Sequence, residues 1–393
     1  MSSTVAILAG TIYTPKECIE QGVILIEGSR VTRVGRRKQI KIPPKARVFD
    51  YRERIAAPGF IDLHIHGAFG RDLMEGTEDA VAAVATHLAR HGTTSFLATT
   101  VTASLERTVE AARRLSQIIR AWGASVKIRG AEPLGIHFEG PFLNAEKRGV
   151  HPAAHIQRPS TEVLGRLLEA ADGTARVLTL APELEGALEV LEAARRRGIC
   201  VGIGHSNATC EEAERAILAG ATHAIHTYNA MRPFLHRDPG IIGAVLTDDR
   251  ISAELICDGV HVDPTAVRLL AKSKGAGRII LVTDGLSCTG MPDGAYPLGE
   301  FTVEVTGGVC RASGGVLAGS TLTLDAALRI FSRFTGLAYS KCLPCATLNP
   351  AKILGLEKKK GKIAPGADAD LVVLDASHNV VETFVGGQPA IGR

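Results

Sequence analysis

His64 and His66, two positions apart in Asp62-Leu63-His64-Ile65-His66-Gly67, are the first residues whose types and spacing could do chemistry. On an extended chain, side chains at i and i+2 point the same way, as two ligands of one metal site require. Further apolar runs close on His137-Phe138-Glu139-Gly140-Pro141, on Gly204-His205-Ser206 and on His226-Thr227-Tyr228-Asn229; Cys257-Asp258-Gly259-Val260 leads to His261, and Thr283-Asp284-Gly285 closes the last. Any one of these histidines, taken alone, reads as an ordinary satisfied core or surface residue. As a set they read differently. Several imidazoles with a carboxylate suit zinc or iron(II) and leave open positions for water and substrate. Such an ion lowers the pKa of its water and polarises a carbonyl. An aspartate beside it can take the water proton and later give it to a leaving amine, and Asp284 is placed for that work.

These groups belong together only if the fold gathers them. Apolar β-like runs at Phe60–Ile65, Thr94–Thr99, Leu134–Phe138, Arg176–Leu180, Ile199–Ile203, His223–His226, Ile251–Ile256 and Arg278–Thr283 alternate with stretches of helical period. The helical stretches include Glu78–His91, Ser104–Arg120, Thr161–Ala171, Leu184–Arg197, Cys210–Leu218 and Pro264–Ala271. Fully apolar strands between helices predict a parallel sheet covered on its outer face, and eight such units are the number that closes a (β/α)8 TIM barrel. In a barrel the C-terminal strand ends share one mouth, where all the residues above would meet. An open doubly wound sheet would carry a glycine-rich nucleotide-binding turn after its first strand, and Gly67-Ala68-Phe69-Gly70 is too short and wrongly spaced for one.

The two ends of the chain look different. Val5–Leu8, Gly22–Gly28 and Arg30–Val34 at the start, and Asp370–Asp375 and Val380–Gly387 at the finish, are strand-like and too few to bury a core separately. The expected α/β architecture is therefore a barrel over 58–358 with a small β-sandwich built from both chain ends, 1–57 together with 359–393.

Composition excludes several classes. Of 393 residues 45% are hydrophobic and 22% charged, which is the balance of a globular α/β protein rather than a disordered one. Lys and Arg total 45 against 41 Asp and Glu, so the net charge of +4 gives no support to nucleic-acid binding. The run Glu357-Lys358-Lys359-Lys360 reads as a solvated turn. No stretch is long and apolar enough for a membrane span, and the N-terminus lacks a leader pattern, so the cytoplasm is the expected location. The eight cysteines are scattered, several within apolar runs, as reduced thiols would be; Cys342-Leu343-Pro344-Cys345 has a redox spacing but reads as a helix start at Pro344.

Pro58-Gly59-Phe60-Ile61-Asp62 followed by His64-Ile65-His66 resembles the first-strand motif of the amidohydrolase superfamily. Within it, His137-Phe138-Glu139-Gly140-Pro141-Phe142-Leu143-Asn144, Gly204-His205-Ser206, His226-Thr227-Tyr228-Asn229-Ala230-Met231, Asp258-Gly259-Val260-His261-Val262-Asp263 and Leu281-Val282-Thr283-Asp284 resemble the N-acetylglucosamine-6-phosphate deacetylase family nearly end to end. The resemblance implies that Glu139, His205 and His226 hold the principal divalent metal, zinc or alternatively iron(II), and that Asp284 is general base and acid. His64 and His66 match positions that supply a second ion in some members, so one or two ions remain open. No lysine stands at the usual bridging position, which agrees with Glu139 bridging if two bind.

The same resemblance places His151 near the sugar ring and acyl group, Asn229 and Ala230 at the phosphate end, and Arg237 with His261 as a phosphate-binding pair, one of which the family takes from a neighbouring subunit. A guanidinium fork suits a phosphate and would fix the far end of a sugar. The implied substrate is a small phosphorylated amino sugar, N-acetyl-D-glucosamine 6-phosphate, and the implied state a homodimer or homotetramer. Gly285 departs from the alanine expected after the aspartate. Gly314-Gly315-Val316-Leu317-Ala318-Gly319-Ser320 resembles the entry to a late helix with Ser320 as its cap. The alternatives are a hydrolase of another N-acyl amino sugar or a cyclic amide, and an inactive scaffold relative.

Overall fold

The computed structural model describes residues 4–123, 130–298 and 301–390. Among them, strands one to eight of a parallel sheet run in strict chain order: Phe60–Ile65, Thr93–Thr100, Glu132–Glu139, Ala175–Leu180, Cys200–Ile203, His223–Ala224, Ser252–Ile256 and Ile279–Val282. The sheet closes on itself, because Asp284 N donates to His64 O at 2.9 Å and His66 N to Gly285 O at 2.8 Å. Asp62, fully buried, stitches the same seam from the side chains: it accepts from Thr283 Oγ1 at 2.6 Å, Thr283 N at 3.3 Å and His64 N at 3.2 Å. The fold is the expected TIM barrel. Its strands are apolar on both faces because one face fills the barrel and the other receives the helices.

Each expected helix forms, and its ends follow local chemistry. Thr77, Ser104 and Ser160 accept backbone N–H groups at the starts of Glu78–Arg90, Leu105–Ala121 and Thr161–Ala171. Thr209 and Glu212 form a reciprocal capping box on Cys210–Ala219, which ends at Gly220 with φ 104°. One further helix, Gly240–Thr247, follows strand six; Ile241, Ile242, Val245 and Leu246 are all buried, so it lacks the polar face that would have marked its period. Strand six stops at Ala224, earlier than its apolar pattern, because the backbone turns over at His226 with φ 26°.

A three-stranded antiparallel insert, Gly294–Leu298, Phe301–Thr306 and Val309–Arg311, lies between strand eight and the helix Leu324–Thr335. It packs Leu298, Val303, Val305 and Cys310 against Leu286 and Cys288, in the turn that follows Asp284, and against Ala318 beyond the insert. Ser320 does not cap the late helix, whose N-cap position is Thr323. Its hydroxyl donates to Thr283 O at 2.5 Å and accepts from Leu322 N at 3.0 Å, which secures the end of strand eight instead.

The chain ends join in one seven-stranded sheet, which includes a strand absent from the sequence expectation, Arg47–Pro58, paired in parallel to Thr4–Tyr13 and antiparallel to Leu371–Leu374. Its first half is largely exposed, and its apolar face there is only Phe49 and Tyr51, which flank Asp50 and pack edge-on against Phe384. The sheet rolls over so that Val31 N meets Ala367 O and Ala369 N meets Ser29 O. Period-two alternation then sorts the side chains: Leu371 and Val373 join Ile7, Ile24 and Phe384 inside the sandwich, while Val372 and Leu374 face the barrel core.

Lys360 corrects the reading of the basic run. Lys358 and Lys359 are exposed, but Lys360 is buried, with Nζ 2.6 Å from Glu132 Oε2, 2.8 Å from Asp370 Oδ2 and 3.2 Å from Asp368 Oδ2. It ties barrel strand three to the returning chain; burial opposes its charge, but Asp370 and Glu132 outweigh that and hold its ammonium above the usual lysine range. Lys360→Ala leaves buried Asp370 without its cation, and such a loss costs about 3 kcal/mol or more. Chemical denaturation should show it; an unchanged midpoint would mean the cluster is neutral for stability.

Candidate functional site

The strand ends deliver their side chains to the barrel mouth. Glu139 ends strand three, His64 and His66 come from strand one, and His205, His226 and Asp284 follow strands five, six and eight. The last three are non-glycine residues in the left-handed region, with φ of 46°, 26° and 50°. That conformation costs of order 1–3 kcal/mol per residue and persists where surrounding structure enforces it, characteristically at functional sites. Here it turns each backbone over at the strand end.

Glu139 is the hub. Its Oε1 lies 3.2 Å from His205 Nε2, 3.2 Å from His226 Nε2 and 3.3 Å from His64 Nε2; its Oε2 lies 3.2 Å from His66 Nε2 and 3.3 Å from His151 Nε2. Asp284 Oδ1 is 3.3 Å from His66 Nε2 and 3.7 Å from His64 Nε2. Two ligand groups result, His64-His66-Glu139 and Glu139-His205-His226, sharing the carboxylate.

The hydrogen bonds on the far side of the rings decide what these groups can hold. His205 Nδ1 is 2.8 Å from Lys147 O, an acceptor only, so Nδ1 carries the proton and Nε2 presents a lone pair. His64 Nδ1 is 3.3 Å from the Glu254 carboxylate, with the same consequence, and His64 Nε2 has no hydrogen-bond partner although it is fully buried. His205 Nε2 and His226 Nε2 are also only 3.1 Å apart. Lone pairs and a carboxylate oxygen this close repel one another unless cations lie among them, so the donor set fits divalent metal. The titration behaviour agrees. Burial opposes charge on His66, yet hydrogen bonds to Asp284 and Glu139 outweigh it and push the ring up to about 9; protons take the part a metal cation would play. Burial would likewise raise the Asp284 carboxyl, but His64 and His66 hold it well below the usual range, as an anion.

A cavity of about 460 Å³ opens over this centre. His151, Asn229, Ala230 and His261 line it together with the metal-site residues, and Leu286, Leu298 and Leu317 form an apolar wall contributed by the insert and its flanks. His151 Nδ1 accepts from Thr102 N at 3.3 Å, so its Nε2 carries a hydrogen; burial pulls its pKa down to about 4, leaving a neutral donor. His261 Nδ1 is 2.7 Å from Asp258 Oδ2; burial opposes charge there too, but the Asp258 partner raises the ring above its usual value. Arg237 is not brought into this group. It is exposed on the loop 232–239 and does not line the cavity.

Residues 55–390 match the amidohydrolase family. The chain belongs to that family. It is 42% identical over 347 residues to N-acetylglucosamine-6-phosphate deacetylase of Bos taurus, covering 85% of this chain and 83% of the relative. It is 39% identical over 336 residues to N-acetylgalactosamine-6-phosphate deacetylase of Escherichia coli O157:H7, covering 86% of this chain and 88% of the relative. Its structure is similar to that of an N-acetyl-D-glucosamine-6-phosphate deacetylase mutant from Mycobacterium smegmatis in complex with N-acetyl-D-glucosamine-6-phosphate, with a TM-score of 0.91 and 34% identity over 99% of this chain and 100% of that one.

This amidohydrolase also uses residues that motif reading did not assign. Glu183, in the turn after strand four, accepts from Ser206 Oγ at 2.7 Å, Asn207 N at 2.6 Å and Asn144 Nδ2 at 2.8 Å, and so braces the turn that carries His205. His137, fully buried, pairs with Leu63 O at 3.1 Å and Thr179 Oγ1 at 2.8 Å, and burial with the neighbouring His64 pushes it down to about 3, a neutral packing residue rather than a ligand. Glu254 and His223 lie beneath the centre. A lone carboxylate in the apolar run of strand seven was the available signal for Glu254.

Proposed function

We propose that this protein hydrolyses the acetamide of N-acetyl-D-glucosamine 6-phosphate, releasing D-glucosamine 6-phosphate and acetate. The observation that carries the reading is the pair of ligand groups sharing Glu139 with Asp284 3.3 Å from His66, at the floor of a cavity large enough for a sugar phosphate. Similarity to the deacetylases named above supports the substrate. A divalent ion, zinc or alternatively iron(II), held by Glu139, His205 and His226 with His64 and His66 able to hold a second, supplies a Lewis acid that polarises the amide carbonyl and acidifies water.

The rest falls to the side chains. Asp284, anionic, accepts a proton from the attacking water and returns it to the leaving nitrogen. His151 offers its Nε2–H to the acyl oxygen or a ring hydroxyl. His261, whose ring Asp258 shifts toward the protonated form, takes the phosphate end with the Asn229-Ala230 turn. We place Arg237 at the cavity of a neighbouring copy in a homodimer, in keeping with its exposure on its own subunit. Among the described residues no helix is long and apolar enough to cross a membrane, and we place the activity in the cytoplasm, in amino-sugar breakdown or recycling.

Phosphate recognition gives the test. Charge-assisted contacts contribute about 1.5–3 kcal/mol each, so two of them predict a kcat/KM at least about 10²-fold lower for N-acetylglucosamine without its 6-phosphate. Equal rates would remove His261 and Arg237 from recognition. The name of the E. coli relative makes the galactosamine 4-epimer the first alternative substrate to compare.

A further inference from the structure

Glu254 sits on strand seven with no accessible surface, next to His64 and His226, and the proposed reaction gives it no part in the chemistry. Placing a carboxylate in a barrel core is costly unless its partners compensate. Its Oε2 is 3.3 Å from His64 Nδ1 and accepts from His226 N at 3.4 Å, while its Oε1 lies 3.3 Å from His223 Nε2 without a hydrogen bond between them. His223 is itself anchored through Nδ1, 2.8 Å from Thr222 Oγ1. On the opposite side of the His64 ring, Nε2 is buried without a hydrogen bond and faces Glu139 Oε1 and Asp284 Oδ1.

The two ligand groups are oriented from different sources. In the group Glu139-His205-His226, the tautomer of His205 is set by Lys147 O. In the group His64-His66-Glu139, His66 Nδ1 has no hydrogen-bond partner, so Glu254 is the group that orients an imidazole there. A His64 ring that lost this acceptor could take the other tautomer, with the proton on Nε2, and could not ligate.

We propose that Glu254 is a positioning residue for the second ion: by fixing His64 with its Nε2 lone pair toward Glu139, it governs occupancy of the His64-His66-Glu139 group while leaving the Glu139-His205-His226 group nearly untouched. This rests on the reading that the centre takes divalent metal. Outer partners of ligating histidines typically change metal affinity 10–100-fold when removed, and that factor falls on one ion of two.

The test is titration of metal-stripped full-length protein with cobalt(II), following bound ions per chain and the cobalt visible spectrum, for wild type, Glu254→Leu and Glu254→Gln, with thermal melting of the metal-free forms. Wild type should bind two ions. Glu254→Leu should bind the first within about threefold of wild type and the second about 10–100-fold more weakly. Glu254→Gln, whose amide oxygen can still accept from Nδ1–H, should fall between, and it carries the test alone if the leucine variant does not fold. Two ions bound by the variants as by wild type would overturn the proposal. So would equal weakening of both ions with a lowered metal-free melting point, which would make Glu254 a support of the barrel only. A wild type that binds one ion overturns it as well and leaves the hydrolase reading standing; a wild type that binds none removes the metal reading itself.

Discussion

Asp284→Asn is expected to lower kcat by about 10³-fold while leaving fold and metal content as in wild type. General acid–base groups contribute about 10²–10⁴-fold, and in the proposed reaction one carboxylate serves in both directions, taking a proton from water and returning it to nitrogen. The amide of asparagine can do neither. It nevertheless fits the position well: Asp284 adopts φ 50°, a conformation asparagine tolerates better than most residues. The main-chain bonds that hold it, to His64 O at 2.9 Å and from Ser320 N at 2.8 Å, do not involve the side chain. The candidate metal ligands Glu139, His205 and His226 are unchanged. Turnover measured beside metal content separates the two explanations of a loss: low kcat with full metal assigns proton transfer to Asp284. Turnover above a tenth of wild type would remove Asp284 from the mechanism.

Glu139→Gln should do more damage, through binding. Both ligand groups draw on this one side chain, with Oε1 beside His205, His226 and His64, and Oε2 beside His66. A neutral amide cannot balance dications among imidazoles, and its nitrogen, a donor only, offers no lone pair to an ion and would hydrogen-bond to the imidazole lone pair that an ion needs. The expected result is loss of all tightly bound metal and of activity by more than about 10³-fold, the scale of the chemistry the metal supplies. Because a ligand that binds only the native state stabilises it by mass action, added zinc should raise the melting temperature of wild type and not of the variant. Full metal content in Glu139→Gln would mean that this carboxylate is not the shared ligand.

Much of this site was legible because its residues interrupt apolar strands. His64, His66, Glu139, His205, His226 and Asp284 stand where largely buried runs end, and eight such runs leave few arrangements other than a closed barrel. Where the pattern has no polarity contrast, it fails. The helix Gly240–Thr247 is apolar all round, so it lacks the period of its element, and in the strand Arg47–Pro58 the alternation of Phe49 and Tyr51 is interrupted by Arg52-Glu53-Arg54. The insert 294–311 is too short and locally paired to announce itself, yet its Leu298 helps wall the cavity. Lys360 shows the opposite limit: within a run of three lysines only the fold distinguishes the one that lands among Glu132, Asp368 and Asp370. Arg237, which the family resemblance paired with His261, stands exposed on its loop and does not line the cavity, a separation that residue types and spacing alone do not reveal.

The central claim is that metal gathered around Glu139 makes this cavity an amide hydrolase for a phosphorylated amino sugar. Acetate release from N-acetylglucosamine 6-phosphate tests it most directly, with protein as isolated, after chelation, and after return of zinc or iron(II), and with metal content determined on the same samples. The account predicts release that disappears on chelation and returns with metal. No release with metal bound and the fold intact would contradict it.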